Sequence, residues 1–208
     1  MPFITFEGID QSGKSTQIER LSAALTRAGI AAIQVREPGG TALGDRIREI
    51  LLGPEHEGMD PWSEALLYAG ARAQLVSEVI RPALAAGKAV LSDRYIDSSL
   101  AYQGFARGLG CQRVLDLNLW ATEGLLPDLT LVLHLDVASS RSRLSLRNTG
   151  EDRIESEPLD FHMRVEDGYH KLEGMFPDRI TGIDGDRSVE EVFSRITALC
   201  RQRFGWEL

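Results

Sequence analysis

Residues 8–15, Gly8-Ile9-Asp10-Gln11-Ser12-Gly13-Lys14-Ser15, fit the pattern GxxxxGK[ST] and lie between an apolar run, Phe3–Glu7, and a stretch of helical period, Lys14–Ala28. Strand, glycine-bearing loop and helix in that order is the context in which this pattern acts as a phosphate-binding loop. Glycines let backbone N–H groups converge on phosphate oxygens, and the helix beginning near Lys14 turns the positive end of its dipole toward the same point. Lys14 is placed to bridge β- and γ-phosphates, and the Ser15 hydroxyl is placed for Mg2+. The expected ATP-binding element is thus Gly8, Ile9, Asp10, Gln11, Ser12, Gly13, Lys14, Ser15 and Thr16. It implies that a nucleoside triphosphate is bound and leaves open what is done with it. The guanine-reading NKxD of GTPases is absent from the sequence.

Beyond the loop, short β-rich runs alternate with longer helical stretches. Strands are expected at Phe3–Glu7, Ala31–Arg36, Ala89–Ser92, Leu129–Leu135 and Arg179–Ile183, and helices at Lys14–Ala28, Ala42–Leu52, Pro61–Ala86 and Cys111–Thr122. In the first helix Ile18, Leu21, Leu25 and Ala28 fall on one face. Gly29, Gly53 and Gly87 stand just past helical stretches, where a left-handed C-terminal residue is expected. This βαβ alternation predicts an α/β fold: an open, mostly parallel sheet covered by helices on both faces, with ligands at the carboxyl ends of the strands.

At 208 residues the chain has room for one domain, residues 1–208, and no linker divides it. Lys and Arg number 23 against 31 acids, a net charge of −8. That balance argues against a nucleic-acid polymer or an anionic membrane as the main partner, since both need a broad positive field. Small phosphates stay open, because a few arginines focused in a cleft can bind them on an acidic protein. Cys111 and Cys200 are too few for a disulfide framework and have no metal-ligand spacing. The N-terminus lacks a signal-peptide pattern, and the longest apolar run, 129–135, is far short of the ~18 residues that span a bilayer. A cytoplasmic location is the expectation.

Two further segments leave the sheet at strand ends beside the loop. Arg36-Glu37-Pro38-Gly39-Gly40-Thr41 follows the second strand, and Asp93-Arg94-Tyr95 follows the third. An aspartate at such a strand end suits a water ligand of Mg2+, and the adjacent arginine can reach a second phosphate. Taken alone, the first segment fits an ordinary solvated loop as well, and the second fits a surface ion pair. Residues 141–157, with Arg141, Arg143, Arg147 and Arg153 around the turn Asn148-Thr149-Gly150, are polar and dense in arginine.

Phe6-Glu7-Gly8-Ile9-Asp10, Arg36-Glu37-Pro38-Gly39-Gly40, Asp93-Arg94-Tyr95 with Ser98-Ser99-Leu100-Ala101-Tyr102-Gln103-Gly104, Pro127-Asp128-Leu129-Thr130 and Asp152-Arg153-Ile154-Glu155 together resemble the bacterial thymidylate kinase family. They occur in that family's order and extend over essentially the whole chain. The resemblance implies a P-loop nucleoside monophosphate kinase fold, with a five-stranded parallel sheet flanked by helices and an arginine-rich lid at about 141–157. It implies transfer of the γ-phosphoryl of ATP to dTMP with Mg2+, giving dTDP on the route to dTTP, and a homodimer. By the same resemblance Tyr68 stacks on thymine where Phe is more usual, and Arg72, four residues on, hydrogen-bonds the base. Ser98, Ser99 and Gln103 read the base edge, and Tyr102 packs where a 2′-hydroxyl would sit. Arg94 and Arg48 hold the dTMP phosphate, Asp10 and Glu37 lie near the sugar 3′-hydroxyl and the metal-water shell, and Ser15 and Asp93 serve the metal.

The acceptor is a phosphate with a second pKa near ~6, so it brings its own nucleophilic oxygen and no general base is required. What the chemistry needs is alignment and cations. In one subgroup of the family a basic residue inside the P-loop reaches the transferred group, and in the other lid arginines do. Here the loop interior Ile9-Asp10-Gln11-Ser12 carries no cation. The lid is therefore expected to supply it, through Arg147 and Arg153 with Arg143 in reserve, beside Lys14, Arg94 and Asp10 in the catalytic set. Rival readings are a P-loop kinase for another nucleotide or nucleoside, and a nucleotide-binding regulatory module without turnover.

Overall fold

The computed structural model describes residues 1–145 and 150–208. Among these residues five parallel strands form one sheet in the order β2-β3-β1-β4-β5, where β1 is Phe3–Glu7, β2 Ala32–Arg36, β3 Ala89–Asp93, β4 Leu129–His134 and β5 Ile180–Asp184. The three inner strands are buried on both faces and read as nearly unbroken apolar runs, as parallel sheets covered by helices require. Every expected strand is present, displaced by at most one residue at an end.

Helices α1 (Lys14–Arg27) and α9 (Val189–Phe204) pack together, and their Leu21, Leu25 and Ile196 meet Ile4, Phe6, Leu91 and Leu131. The opposite face carries α3 (Pro61–Leu75), α6 (Cys111–Ala121) and α8 (Leu159–Met175), with Leu75, Val114, Val165 and Leu172 against Phe3, Val90 and Val132. Between α1 and α3 in sequence lies α2 (Ala42–Leu52), capped by the Thr41 hydroxyl, which accepts the Gly44 N–H. Ala28 is the exposed C-cap of α1, so the buried stripe there is Ile18, Leu21, Ala24 and Leu25.

Two departures have local causes. Gly29 and Gly87 are left-handed, but Gly53 has φ −65° and ψ 127°. Pro54 follows it, and a residue before proline is driven to extended backbone. The expected helix 61–86 is broken by a π-helical turn at Val76–Ile80, followed by α4 (Arg81–Ala85). Pro82 lacks the N–H and crowds the preceding turn there. Residues 96–106, helical as α5 (Ile96–Ser99) and a π-helical continuation Leu100–Ala106, and α8 itself were absent from the sequence expectation. For α8 the signal existed, since Phe161, Val165, Tyr169 and Leu172 keep a helical period and are all buried. Finally, α7 (Val137–Ser145) begins the arginine-rich segment as a helix, and residues 148 and 149 of the expected turn lie outside the described residues. No helix among the described residues is long and apolar enough to cross a membrane.

The loop after β1 closes tightly on β4. Gly8 has φ 125°, and a Cβ there would overlap the Leu133 carbonyl oxygen, a backbone atom that cannot swing away. Gly8→Ala is expected to cost about 3 kcal/mol or more in urea unfolding, from backbone strain plus the clash. A loss of under about 0.5 kcal/mol would contradict this close approach.

Candidate active site

Register builds the site. In the β1–β3 pair Phe6 is opposite Asp93, so both strands end at one level and release the phosphate loop and Arg94 side by side. Arg94 adopts φ 71°, an unusual conformation for a side-chain-bearing residue, held by its N–H donating to the Phe6 carbonyl and by the Ser92 hydroxyl donating to its own carbonyl. Its guanidinium donates to the Gly8 carbonyl at 3.0 Å and to Asp10 at 2.7 Å. Burial disfavours the Asp10 carboxylate, but Arg94 and Lys14 outweigh it and lower its pKa.

Inside the loop Lys14 Nζ donates to the carbonyls of Gly8 (3.0 Å) and Ile9 (2.8 Å). Burial, with repulsion from Arg94, pushes the Lys14 ammonium down to about 8. Ser15 Oγ donates to Asp93 Oδ2 at 2.9 Å, pairing the two expected metal ligands across 78 residues of sequence. Both face a cleft of about 1680 Å³ that is also lined by Asp10, Gln11, Gly13, Lys14, Thr16, Arg36, Arg143 and Val189. Gly8, Ile9 and Ser12 form the floor beneath, Ile9 and Ser12 being buried.

A second hollow, of about 550 Å³, opens beside the first. All nine residues expected to bind the acceptor line it: Glu37, Arg48, Tyr68, Arg72, Arg94, Ser98, Ser99, Tyr102 and Gln103. Pro38, Leu52, Asp152 and Ile154, which the sequence reading did not assign, complete its wall. Asp10, Glu37, Arg48, Arg94 and Asp152 line both hollows, which therefore meet at Arg94. Arg48 donates to the Pro38 carbonyl, and burial, with Arg36 and Arg94 nearby, lowers its pKa. Cations gathered this closely are an anion site.

Hydrogen-bond directions narrow what each side chain can offer. Gln103 donates its amide to the buried Glu64, which leaves its carbonyl oxygen as an acceptor for a ligand. Ser99 accepts from Arg72, so its own proton is available. Arg72, fully buried, donates to Glu37 (2.6 Å), Ser99, Asn118 and the Tyr95 carbonyl, so each of its nitrogens is already engaged within the protein. Two buried atoms of the hollow, Glu37 Oε1 and the Tyr102 hydroxyl, have no partner among the described residues. Such orphaned groups are costly unless a ligand or water completes them.

The lid arginines divide. Arg153 is turned away from the cleft: its Nε donates to the Leu51 carbonyl at 2.7 Å, Nη2 is 2.8 Å from Glu64, and it lines neither hollow. A buried guanidinium seeks the nearest buried carboxylate, so Arg153 ties the end of the lid to α2 and α3. Arg147 lies outside the described residues. Arg143 reaches the cleft, donating to the Gln11 carbonyl and pairing with Asp186 at 3.2 Å. The sequence reading also missed Glu64, whose partners Gln103, Arg107 and Arg153 are remote in sequence. His134, His170 and Glu173 cluster at the end of β4, but the imidazoles stack face to face within 3°, so their in-plane lone pairs run parallel and do not converge on one ion.

A parallel sheet carrying a phosphate loop, with a cationic junction between two hollows, defines a P-loop nucleoside monophosphate kinase fold. The profile of the family described as Thymidylate kinase matches residues 6–196. The chain is 43% identical over 201 residues to a thymidylate kinase of Bacillus licheniformis, covering 96% of this chain and 95% of that one, and 50% identical over 194 residues to one of Leifsonia xyli, covering 93% and 91%. A crystal structure of thymidylate kinase from Ehrlichia chaffeensis superimposes with a TM-score of 0.76 at 30% identity, over 95% of this chain and 97% of that one. The chain belongs to the thymidylate kinase family.

Lys14 must be protonated to hold phosphate, and in the free enzyme that form is lost as pH rises through about 8. The value of kcat/KM for ATP, which reports free-enzyme groups, is expected to fall above pH 8, while kcat holds to higher pH because bound phosphate raises the lysine again. A kcat/KM for ATP that is flat from pH 7 to 9.5 would refute this.

Proposed function

We propose that this enzyme transfers the γ-phosphoryl group of ATP to dTMP, giving dTDP and ADP, with the triphosphate in the 1680 Å³ cleft and dTMP in the 550 Å³ hollow. The observation that carries it is the junction at Arg94, where both hollows share the guanidinium groups of Arg94 and Arg48 and the attacking and transferred phosphates would lie in line. The protein's task there is to align and neutralise, and among the described residues Lys14, Arg36, Arg48, Arg94 and Arg143 are the cations that line the cleft. Arg153 is spent on Glu64, so of the lid arginines among the described residues Arg143 is the one that serves the transferred group, beside Arg147, which lies outside them. Ser15 and Asp93 offer hard oxygen ligands at the mouth of the cleft, which suits Mg2+. When bound, Mg2+ would neutralise β- and γ-phosphate charge.

For the base, the Gln103 carbonyl accepts and Ser99 donates, which matches the N3–H donor and the carbonyl oxygens of thymine. Cytosine presents a bare N3 to Gln103 and leaves its carbonyl unpaired, at a cost of about 1–3 kcal/mol. Arg72 acts chiefly by fixing Ser99 and Glu37. Tyr68, Leu52 and Ile154 supply an apolar surface for the ring and its methyl group, and the orphaned Glu37 Oε1 and Tyr102 hydroxyl face the sugar. We place the enzyme in the cytoplasm, with ATP and dTMP.

With ATP and Mg2+, dTMP should exceed dUMP, dCMP, AMP and thymidine as acceptor in kcat/KM. A different best acceptor would overturn the assignment. In the same assay Arg143→Ala should lower kcat at least about tenfold, the loss of one charge-assisted contact in the transition state, and an unchanged kcat would remove Arg143 from the chemistry.

We infer a homodimer formed through the exposed sides of α2, α3 and α6. Leu43 on α2, Leu66 on α3 and Trp120 on α6 are 52%, 56% and 86% exposed, and α3 packs against both α2 and α6. Exposed large apolar side chains on helices that pack together favour an interface between copies. Sedimentation should give a dimer that Leu66→Asp converts to monomer. A monomeric wild-type chain would refute it.

A further inference from the structure

The kinase reading uses Arg94 and leaves one buried acid beside it without a task. Glu7, the last residue of β1, is fully buried, and no cation lies within salt-bridge distance among the described residues. Its Oε1 accepts the Tyr95 N–H at 2.8 Å. Its Oε2 accepts the hydroxyls of Ser98 at 2.5 Å and Tyr169 at 2.9 Å. Those two hydroxyls come from α5 and α8, 91 and 162 residues away, and each is also within reach of Arg94 Nη1, at 3.2 and 3.4 Å.

An ionised carboxylate can only accept. Each hydroxyl has one proton, and with both protons committed to Glu7 their lone pairs face the guanidinium. Glu7 therefore acts on Arg94 from two sides: the carboxylate pins the backbone at Tyr95, one residue past the strained φ of Arg94, and the two oriented hydroxyls share with the Gly8 carbonyl the two protons of Nη1 and so set the guanidinium. Burying a carboxylate for this is costly, and an apolar side chain would fill the same space more cheaply.

We propose that Glu7 is a positioning residue for Arg94, holding the guanidinium at the junction of the two hollows by orienting the Ser98 and Tyr169 hydroxyls. The inference rests on Arg94 binding the acceptor phosphate. Burial, with the nearby Asp97 carboxylate, pushes the Glu7 carboxyl up to about 7, against the lowering effect of Ser98, Arg94 and Tyr169. Above that pH it is ionised and acceptor-only. Protonated, it would have to donate to one hydroxyl and turn that hydroxyl's proton toward Arg94.

The test is a double-mutant cycle at pH 8 on the full chain, with kcat/KM for the best acceptor of the panel and the ATP dissociation constant as readouts. Glu7→Gln is isosteric but brings an NH2 donor toward hydroxyls that must donate. It is expected to lower kcat/KM for the acceptor about thirtyfold and to change ATP affinity less than threefold. In an Arg94→Ala background the same substitution should cost less than threefold, since the group it acts through is gone. Equal losses in both backgrounds, or a loss of under threefold in the Arg94 enzyme, would overturn the proposal. If Glu7→Gln does not fold, Tyr169→Phe decides by the same cycle, with a loss of about fivefold that disappears without Arg94. Because the cycle uses whichever acceptor the panel selects, a failure of the dTMP assignment is seen in the panel and not in the cycle.

Discussion

The parallel pairing of β1 with β3 is the constraint on which the site depends. Phe6 opposite Asp93 sets Gly8 and Arg94 at the same level, and hydrogen bonds from Arg94 to Phe6 and Gly8 join the two exits. Side chains alternate faces along a strand, so a slip of one residue would turn Asp93 from Ser15 and Glu7 from Ser98 together. The tolerance for error is correspondingly small. It is met by apolar residues on both faces of the inner strands and by a buried polar link from Thr5 through Thr130 and Asp97 to Arg179, which fixes β1, β4, α5 and the start of β5 to one another. That link is also what orients Ser98 and Ser99, the residues next to Asp97.

The arginines fall into two kinds, and burial separates them. Arg72 and Arg153 are almost wholly buried and Arg179 nearly so, and they pair with Glu37, Glu64 and Asp97 at 2.6–2.8 Å. A buried guanidinium without such a partner is untenable, so part of the acidic excess is a requirement of the interior. Arg36, Arg48, Arg94 and Arg143 face the cleft. Only the second kind can give charge to a ligand. Glu64 is the point where the two roles meet, because it takes Gln103 from the acceptor hollow together with Arg107 and Arg153. Its pKa is lowered, the hydrogen bonds of Arg107 and Gln103 outweighing burial, so it is a carboxylate that three elements share.

What could be read from the sequence was whatever is local or carried by a motif. Strands follow from short apolar runs, the phosphate loop from spacing, and nine residues of the acceptor hollow from the resemblance to a known family. Gly53 could not be read because its conformation is set by the proline after it, not by its place at a helix end. Arg153 was misplaced for a different reason. Sequence displays a charge but not the carboxylate it will meet, and Glu64 is 89 residues away, in a different element. Glu7 stood in plain view within Phe6-Glu7-Gly8, yet nothing in that segment shows that Ser98 and Tyr169 converge on it. Non-local pairing is where reading by pattern ends, since the distance in sequence carries no trace of the distance in space.

A protein of net charge −8 that binds two polyanions looks contradictory only if charge is averaged. At physiological salt, charges more than ~8 Å apart across solvent are largely screened, so the acidic exterior acts weakly on the cleft. Within the cleft the spacing is shorter and the medium less polar. Arg36 and Arg94 are close enough to Arg48 that each disfavours its charge, and Arg94 likewise presses on Lys14. Asp10, paired with Arg94 and attracted to Lys14, ties part of the group together at the junction without neutralising it. Phosphates entering both hollows relieve that repulsion, and the relief is greatest where charge accumulates between them. An empty cleft kept slightly destabilised by its own cations is thus already biased toward the doubly occupied state that phosphoryl transfer requires.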